Sequence, residues 1–242
     1  MTPEIESEPS GEWQRRIRDR WDERVEWWDE MSQNNARSEA RIHDLDRTVK
    51  ALKLAPGSRM LDAGCGTGQW AIAFAKRGYV VSGVDIAPAM IERARQHSRD
   101  EGVSVDWRVG DYTALVVNDQ PYDAIHARVS LQFVESAYRT LLALGSALKA
   151  NGRLFVSVPG AASPIYSTTW RRFLPDEEMT INYITPWDLE RLLSELGWSV
   201  LDQWGDLDPS RQNKISSAFD SPEDRLRVLQ TLSTTWGIVA TK

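Results

Sequence analysis

An α/β fold, with a mostly parallel sheet covered on both faces by helices, is predicted by three observations. Short apolar runs of strand length alternate with helix-length runs from Arg59 onward, the pattern of a sheet whose crossovers cover its faces. Gly64, Gly66 and Gly68 follow the first of those runs and open a helix-like segment; without Cβ atoms such a turn tightens and brings backbone N–H groups close to a ligand. The 242 residues suffice for one large domain with a well-buried core and would be cramped for two.

The elements follow in order. Residues 1 to 11 are polar, carry Pro3, Pro9 and Gly11, and are expected to be mobile. Trp13, Ile17, Trp21, Val25 and Trp28 recur at spacings of four, four, four and three, which predicts one helix with an aromatic face and a charged face. Residues 1–35 are therefore read as a Trp-rich helical lid, whose rings can anchor a helix while walling a pocket. Residues 36–242 form the main domain. Its first helix, 36–52, carries Ile42, Leu45, Val49 and Leu52 as an apolar stripe and ends at the Leu54 to Gly57 segment. A strand over Arg59–Ala63 precedes the glycine turn, and the helix Gln69–Arg77 stops at Gly78, a common helix terminator.

The second strand, Val80–Val84, ends on Asp85, and Pro88 opens a helix to Arg99, proline being tolerated in a first turn. Strand three spans Val103–Arg108 and is followed by Gly110, Asp111 and Tyr112. Strand four, Ala124–Ala127, leads into the loop Arg128 to Phe133, a helix over Glu135–Lys149, and strand five at Arg153–Val158. Residues 159–184 break the rhythm with Tyr166, Trp170, Arg171, Arg172, Phe173 and the acids Asp176, Glu177 and Glu178, a mixture suited to an insertion over an active site. Thr185, Pro186 and Asp188 restart a helix as cap, first turn and N3 acid. It ends at Gly197; a strand over Trp198–Trp204, a polar loop, a helix over Pro222–Leu232 and a strand over Thr235–Thr241 complete the chain.

Composition narrows the partners. With 29 Lys and Arg against 35 Asp and Glu the net charge is -6, so no global positive field draws the chain to a phosphate backbone. The single cysteine, Cys65, excludes an internal disulfide and a multi-cysteine zinc framework. No apolar run approaches 18 residues and no basic-then-apolar leader is present, so a soluble cytoplasmic protein is expected, without a membrane partner.

The turn itself discriminates between ligands. A dinucleotide turn of the G-x-G-x-x-G type holds a pyrophosphate over a helix N-terminus, whereas here the spacing is Gly64-x-Gly66-x-Gly68 with Asp62 before it. A carboxylate there suits a ligand bearing an ammonium and a sulfonium. Leu61 to Gly68 resembles the first motif of the class I S-adenosylmethionine-dependent methyltransferases, small-molecule type, and the resemblance extends over residues 36–242. It implies a three-layer α-β-α, Rossmann-like fold with a seven-stranded sheet of order 3-2-1-4-5-7-6, strand 7 antiparallel. The hairpin joining the last two strands then holds a second insertion at about 205–234, and both insertions are expected beside the pocket.

The resemblance also implies roles for individual residues. Asp62, Gly64, Cys65, Gly66 and Gly68 form the S-adenosylmethionine cradle. Asp85, with Ile86 beside it, accepts from both ribose hydroxyls; Asp111 contacts the adenine amino group, and Tyr112 covers the ring. The segment Asp123 to Phe133 matches the fourth-strand motif that faces the methionine end and the acceptor, and Gly152 to Val158 matches the fifth strand. Arg128 at the mouth of strand four pairs with the cofactor carboxylate or an acidic acceptor, or serves a structural ion pair.

Methyl transfer asks for in-line approach and water exclusion, and a general base is optional. Of the three histidines, His43, His97 and His126, His126 is the candidate base, with a packed strand residue as the bland reading. Gln132 stands near where related enzymes often carry histidine, and joins His126 and Arg128 as a catalytic candidate. Trp21, Trp28, Tyr166, Trp170 and Tyr183 are candidate aromatic walls, and Arg171 and Arg172 candidate anion binders. No Asp-Asn-Asp style cluster is present, so no metal is expected. Arg128-Val-Ser-Leu131 replaces the Asn/Asp-Pro-Pro-Tyr/Phe motif of the nucleic-acid amino-methylating branch, and no concentrated basic stripe is present. The expected function is methylation of O or N on a small-molecule metabolite, such as a natural-product intermediate or an amino sugar, by a monomer or homodimer. A tRNA or protein methyltransferase, with an exposed basic-rimmed groove, and a non-catalytic cofactor-binding regulatory or scaffold protein are the alternatives.

Overall fold

The computed structural model describes residues 11–36, 38–115, 120–174, 180–207 and 209–242. The mobile-tail expectation for residues 1 to 10 and the acidic trio Asp176, Glu177 and Glu178 lie outside the described residues.

Seven strands form one sheet: β1 (Arg59–Ala63), β2 (Val80–Asp85), β3 (Asp106–Val109), β4 (Tyr122–Arg128), β5 (Leu148–Pro159), β6 (Ser199–Gly205) and β7 (Thr235–Thr241). Their order is β3-β2-β1-β4-β5-β7-β6, as the resemblance implied. Strands β1 to β5 pair in parallel, and β7 runs antiparallel between β5 and β6. The switch in strand order at β1 and β4 opens a crevice at their carboxyl ends, where a parallel sheet of this kind holds its ligand.

Side chains alternate across the sheet, as the strand period requires. Leu61, Ala63, Leu154 and Val156 face one core with Leu141 and Leu144 of α6 (Ala137–Ser146) and Leu189 and Leu193 of α7 (Pro186–Glu195). Met60 and Phe155 face the other, with Leu45 and Leu52 of α3 (Glu39–Leu52) and Phe74 of α4 (Gln69–Ala75). Thr185 and Asp188 form the expected capping box at the start of α7. Gly78, at φ 84, closes the turn after α4 by donating to Ala75 O.

Three regions depart from the sequence reading. The single N-terminal helix is two, α1 (Glu12–Asp22) and α2 (Val25–Ala36). The break follows a long-range contact: Asp22 accepts the Ala89 N–H at 2.9 Å and so ties the end of α1 to the start of α5 (Pro88–Asp100). The helix expected to run to Lys149 ends at Ser146, because Leu148 already pairs with Tyr122 as the first residue of β5. Part of the polar loop before α9 (Pro222–Leu232) is a helix, α8 (Pro209–Ala218), with too few apolar residues to announce one. Among the described residues, no helix is long and apolar enough to cross a membrane.

Phe155 is fully buried, stacked on His126 at 4.9 Å and tilted against Trp204 at 5.5 Å. Phe155→Ala should therefore cost about 3–5 kcal/mol, read as a fall in urea midpoint with unchanged slope. A loss below 1 kcal/mol would show that this layer does not carry the sheet's stability.

Candidate active site

The crevice is built on the glycine turn. Gly64 has φ 72 and Gly66 φ 53, left-handed conformations that glycine adopts without strain. A Cβ on Gly64 would lie 2.7 Å from Ser130 Cβ, and one on Gly66 2.8 Å from Trp28 Nε1. The turn is thus enclosed by the loop after β4 on one side and by α2 on the other. Gly68 caps α4.

Asp85 closes the far end of β2. Its carboxylate accepts from Gly66 N at 2.9 Å and from Ala87 N at 3.0 Å. Burial pushes its carboxyl up to about 6, against the opposing pull of those two bonds. Asp111 accepts from Thr113 N at 2.8 Å through Oδ1, while Oδ2 is buried with no partner among the described residues. An unpaired buried acceptor in a cavity wall is a site for a ligand's N–H donor. Tyr112 is buried beside it, and burial raises its phenol above the ordinary range.

These residues wall a cavity that opens to solvent. Gly64, Gly66, Asp85, Ile86, Asp111 and Tyr112 line its base, and Trp13, Ile17, Trp21, Trp28 and Phe133 form an apolar wall above. Trp13 Nε1 donates to Phe133 O at 2.7 Å; Trp21 meets Phe133 edge-on at 5.1 Å and Trp28 at 5.3 Å. A second cavity adjoins it, lined by Trp28, Arg41, Asp62, Gly64, Cys65, Gln69, Trp70 and Arg128. Trp28, Gly64, Arg128 and Val129 belong to both.

Two guanidinium groups converge on the second cavity. Arg128 pairs with Asp44 at 2.6 Å and lies 4.8 Å from the Trp70 ring centroid. Arg41 stacks on the same ring at 3.6 Å and makes no ion pair among the described residues. Burial, and then the neighbouring Arg128, lower the Arg41 guanidinium to about 9. A half-compensated cation in a cavity is a receptor for a carboxylate. Arg41 was missed from sequence because α3 reads as an ordinary amphipathic helix; Ser38, its N-cap, marks only where it starts.

The structure displaces several candidates. His126 is fully buried beneath the turn, donating Nδ1–H to Asp62 Oδ1 at 2.8 Å, and lines neither cavity. Trp70, Phe74 and Phe155 surround its ring, and burial lowers its pKa despite Asp62. A neutral ring that donates Nδ1–H to Asp62 leaves Nε2 facing aromatic surface with no partner; it positions Asp62 and cannot reach an acceptor. Gln132 is likewise fully buried and donates to Val129 O at 2.8 Å. It holds the loop instead of meeting substrate: Val129 has φ 49, a strained value for a β-branched residue, and its N–H is held by Ser157 Oγ at 3.0 Å. Burial, with the charges of Asp85 and Asp62, pushes the Cys65 thiol up.

The insertion residues also lie elsewhere. Tyr166 is buried with its hydroxyl on Ile184 O at 2.8 Å, and Tyr183 packs on it at 4.5 Å and donates to Ala161 O. Trp170 is 58% exposed and Arg171 is exposed; the Arg172 side chain lies outside the described residues. None of Tyr166, Trp170, Arg171 and Tyr183 lines either cavity. The segment instead docks on α9, through Gly160 to Thr234, Ala161 to Gln230 and Ala162 to Thr231. Nor does a described residue of the 205–234 insertion line them. Of the substrate candidates, Trp21 and Trp28 are in the pocket wall.

Known proteins share this arrangement. The methyltransferase domain family matches residues 17–203. A ubiquinone biosynthesis O-methyltransferase of Xylella fastidiosa strain 9a5c is 35% identical over 132 residues, covering 54% of this chain and 53% of that protein. The chain thus aligns with about half the length of the curated relatives it matches. Magnesium protoporphyrin IX methyltransferase from Synechocystis PCC 6803, solved with bound S-adenosylmethionine, superposes with a TM-score of 0.63 at 18% identity, covering 98% of this chain and 100% of that one. The [4+2]-cyclase SpnF superposes with a TM-score of 0.60 at 20% identity, covering 83% and 80%, so the fold is also found in a protein described by a different reaction.

The Asp85 shift has two opposite consequences. A carboxyl raised from 3.8 to about 6 on folding contributes stability below pH 3.8 that is lost as pH rises through 6, so the ligand-free protein should become less stable across that window. Hydroxyl donors need the ionised form, so affinity for a ribose-bearing ligand should fall about tenfold per pH unit below about 6. Calorimetric titration from pH 5 to 8 checks the affinity and urea unfolding from pH 3.5 to 7 the stability, with Asp85→Ala as reference; a flat affinity profile would remove Asp85 as the acceptor.

Proposed function

The chain belongs to the methyltransferase domain family, and from that premise we propose that it transfers a methyl group from S-adenosylmethionine to an oxygen or nitrogen of a small-molecule metabolite by in-line substitution. The observation that carries this reading is the pair of joined cavities, acid-lined at one end and arginine-lined at the other, meeting over Gly64. A ligand with a ribose and adenine at one end and an amino acid at the other matches that polarity.

In this reading Asp85 accepts from the ribose hydroxyls, the free Asp111 Oδ2 accepts from the adenine amino group, and Tyr112 covers the ring. Arg41, with Arg128, receives the carboxylate, and Asp62, held by His126, faces the ammonium. The cofactor supplies an activated methyl group. The chain supplies alignment and a dry site: Trp13, Ile17, Trp21 and Phe133 exclude water along the acceptor side, where solvent would otherwise compete. No histidine lines the cavity among the described residues. The acceptor therefore arrives as a neutral amine or as a hydroxyl acidic enough to ionise, as a phenol is. The name of the Xylella relative favours oxygen, and the apolar wall favours an aromatic acceptor such as a natural-product intermediate over an amino sugar. The net charge of -6 disfavours a tRNA acceptor.

Titration should show that S-adenosylmethionine and its demethylated product bind while a nicotinamide dinucleotide does not; the reverse result would sink the proposal. Arg41→Ala should weaken binding of both about tenfold, the loss of one charge-assisted contact. Removal of residues 1–20, which takes away Trp13 and Ile17 of the apolar wall but leaves Trp28 in the chain, should raise the KM for acceptor more than the Kd for cofactor. Incorporation of labelled methyl across a panel of phenols, amines and amino sugars then identifies the acceptor.

A further inference from the structure

Trp28 occupies the only stretch of wall that α2 contributes to both cavities among the residues described above. Its Nε1 edge packs on the turn, 2.8 Å from where a Gly66 Cβ would stand. The ring is held by Trp21, edge-on at 5.3 Å, which is itself set against Phe133 at 5.1 Å. The helix that carries it is fastened to the body: Arg93 binds Asp29 at 2.6 Å and also Glu26, Gln33 meets His97 at 3.0 Å, and Ser32 meets Thr67 at 3.2 Å. The indole is therefore held before any ligand arrives.

A ligand that reaches from Asp85 and Asp111 to Arg41 and Arg128 must pass this ring, since Trp28, Gly64, Arg128 and Val129 are the shared lining. In the methyl donor assigned under the proposed function, on which this step rests, the middle of the molecule is the sulfonium. We infer that Trp28 recognises the positive charge at the centre of the methyl donor, so that the cationic donor is bound in preference to the neutral product. Indole is the strongest of the aromatic partners for a cation, and the attraction grows when the pair is removed from water. On transfer the S–CH3 bond breaks with its electron pair left on sulfur, the acceptor lone pair forms the new bond, and the acceptor's proton passes to solvent. The sulfur is then neutral and the attraction to Trp28 is gone, which favours product release.

Three probes separate this role from simple packing: S-adenosylmethionine, its neutral demethylated product, and an analogue with a protonated amine in place of the methylated sulfur. Calorimetry on the full chain should show Trp28→Leu weakening the two cationic ligands about tenfold and the neutral product less than twofold. Trp28→Phe, which keeps an aromatic face in the same wall, should retain most of the preference and guards against a loss that reflects misfolding. Equal losses for all three ligands, or none, would overturn the inference while leaving the methyl-donor reading intact. Failure of the wild-type chain to bind any of the three would overturn both.

Discussion

The buried carboxylate of Asp85 joins three backbone segments: the end of β2, the glycine turn through Gly66 N, and the start of α5 through Ala87 N. Burying a charge without partners is expensive, so it is tolerated only where donors are already fixed by the fold. The two N–H groups offset part of that cost, and the raised pKa, to about 6, measures what remains. This residual is available to a ligand that brings further hydroxyl donors. The same junction orients α5, whose Ala89 N–H is accepted by Asp22 of α1. The N-terminal tryptophans thus inherit their positions from the cofactor-binding end of the sheet.

The sheet was legible because its signals are local. Each strand shows as a short apolar run, and residues that alternate along it, such as Leu154, Phe155 and Val156, divide between the two cores. The placement of Asp62 to Gly68, Asp85 and Asp111 around the crevice was legible for the same reason, since each stands at a strand end that the pattern locates. What sequence hides is contact across distance. The pairing of His126 with Asp62 spans 64 positions, so an ionisable residue next to a loop looks like a base until its surroundings are known. Once Phe155, Trp70 and Phe74 enclose it, the ring can only steady the carboxylate.

Gln132 and the aromatic insertion mislead in a similar way. Polar and aromatic residues in irregular segments suggest binding, yet irregular backbone must first satisfy its own hydrogen bonds. Gln132 serves Val129, Tyr166 serves Ile184, and Tyr183 serves Ala161. The opposite error concerns Arg41, which lies on a regular helix and yet presents a partly uncompensated charge to a cavity. Its position depends on Trp70, a residue of α4, on whose ring both arginines rest.

The insertion after β5 still acts on the pocket, at one remove. Asn182 donates its backbone N–H to Gln132 O at 2.7 Å and its side-chain amide to Val134 O, bracing the segment whose Phe133 closes the apolar wall. Thr180, just before it, is bonded by Arg20 of α1. The wall is therefore gripped from two sides, by α1 through Trp13 and Arg20 and by the insertion through Asn182. Changes in the insertion would reach the cavity through the placement of Phe133 rather than by contact. That arrangement divides the cavity: its base rests on backbone and buried acids, while its apolar wall is assembled from side chains on segments outside the sheet. The same fold in a porphyrin methyltransferase and a [4+2]-cyclase shows that a sheet of this kind does not by itself fix the reaction.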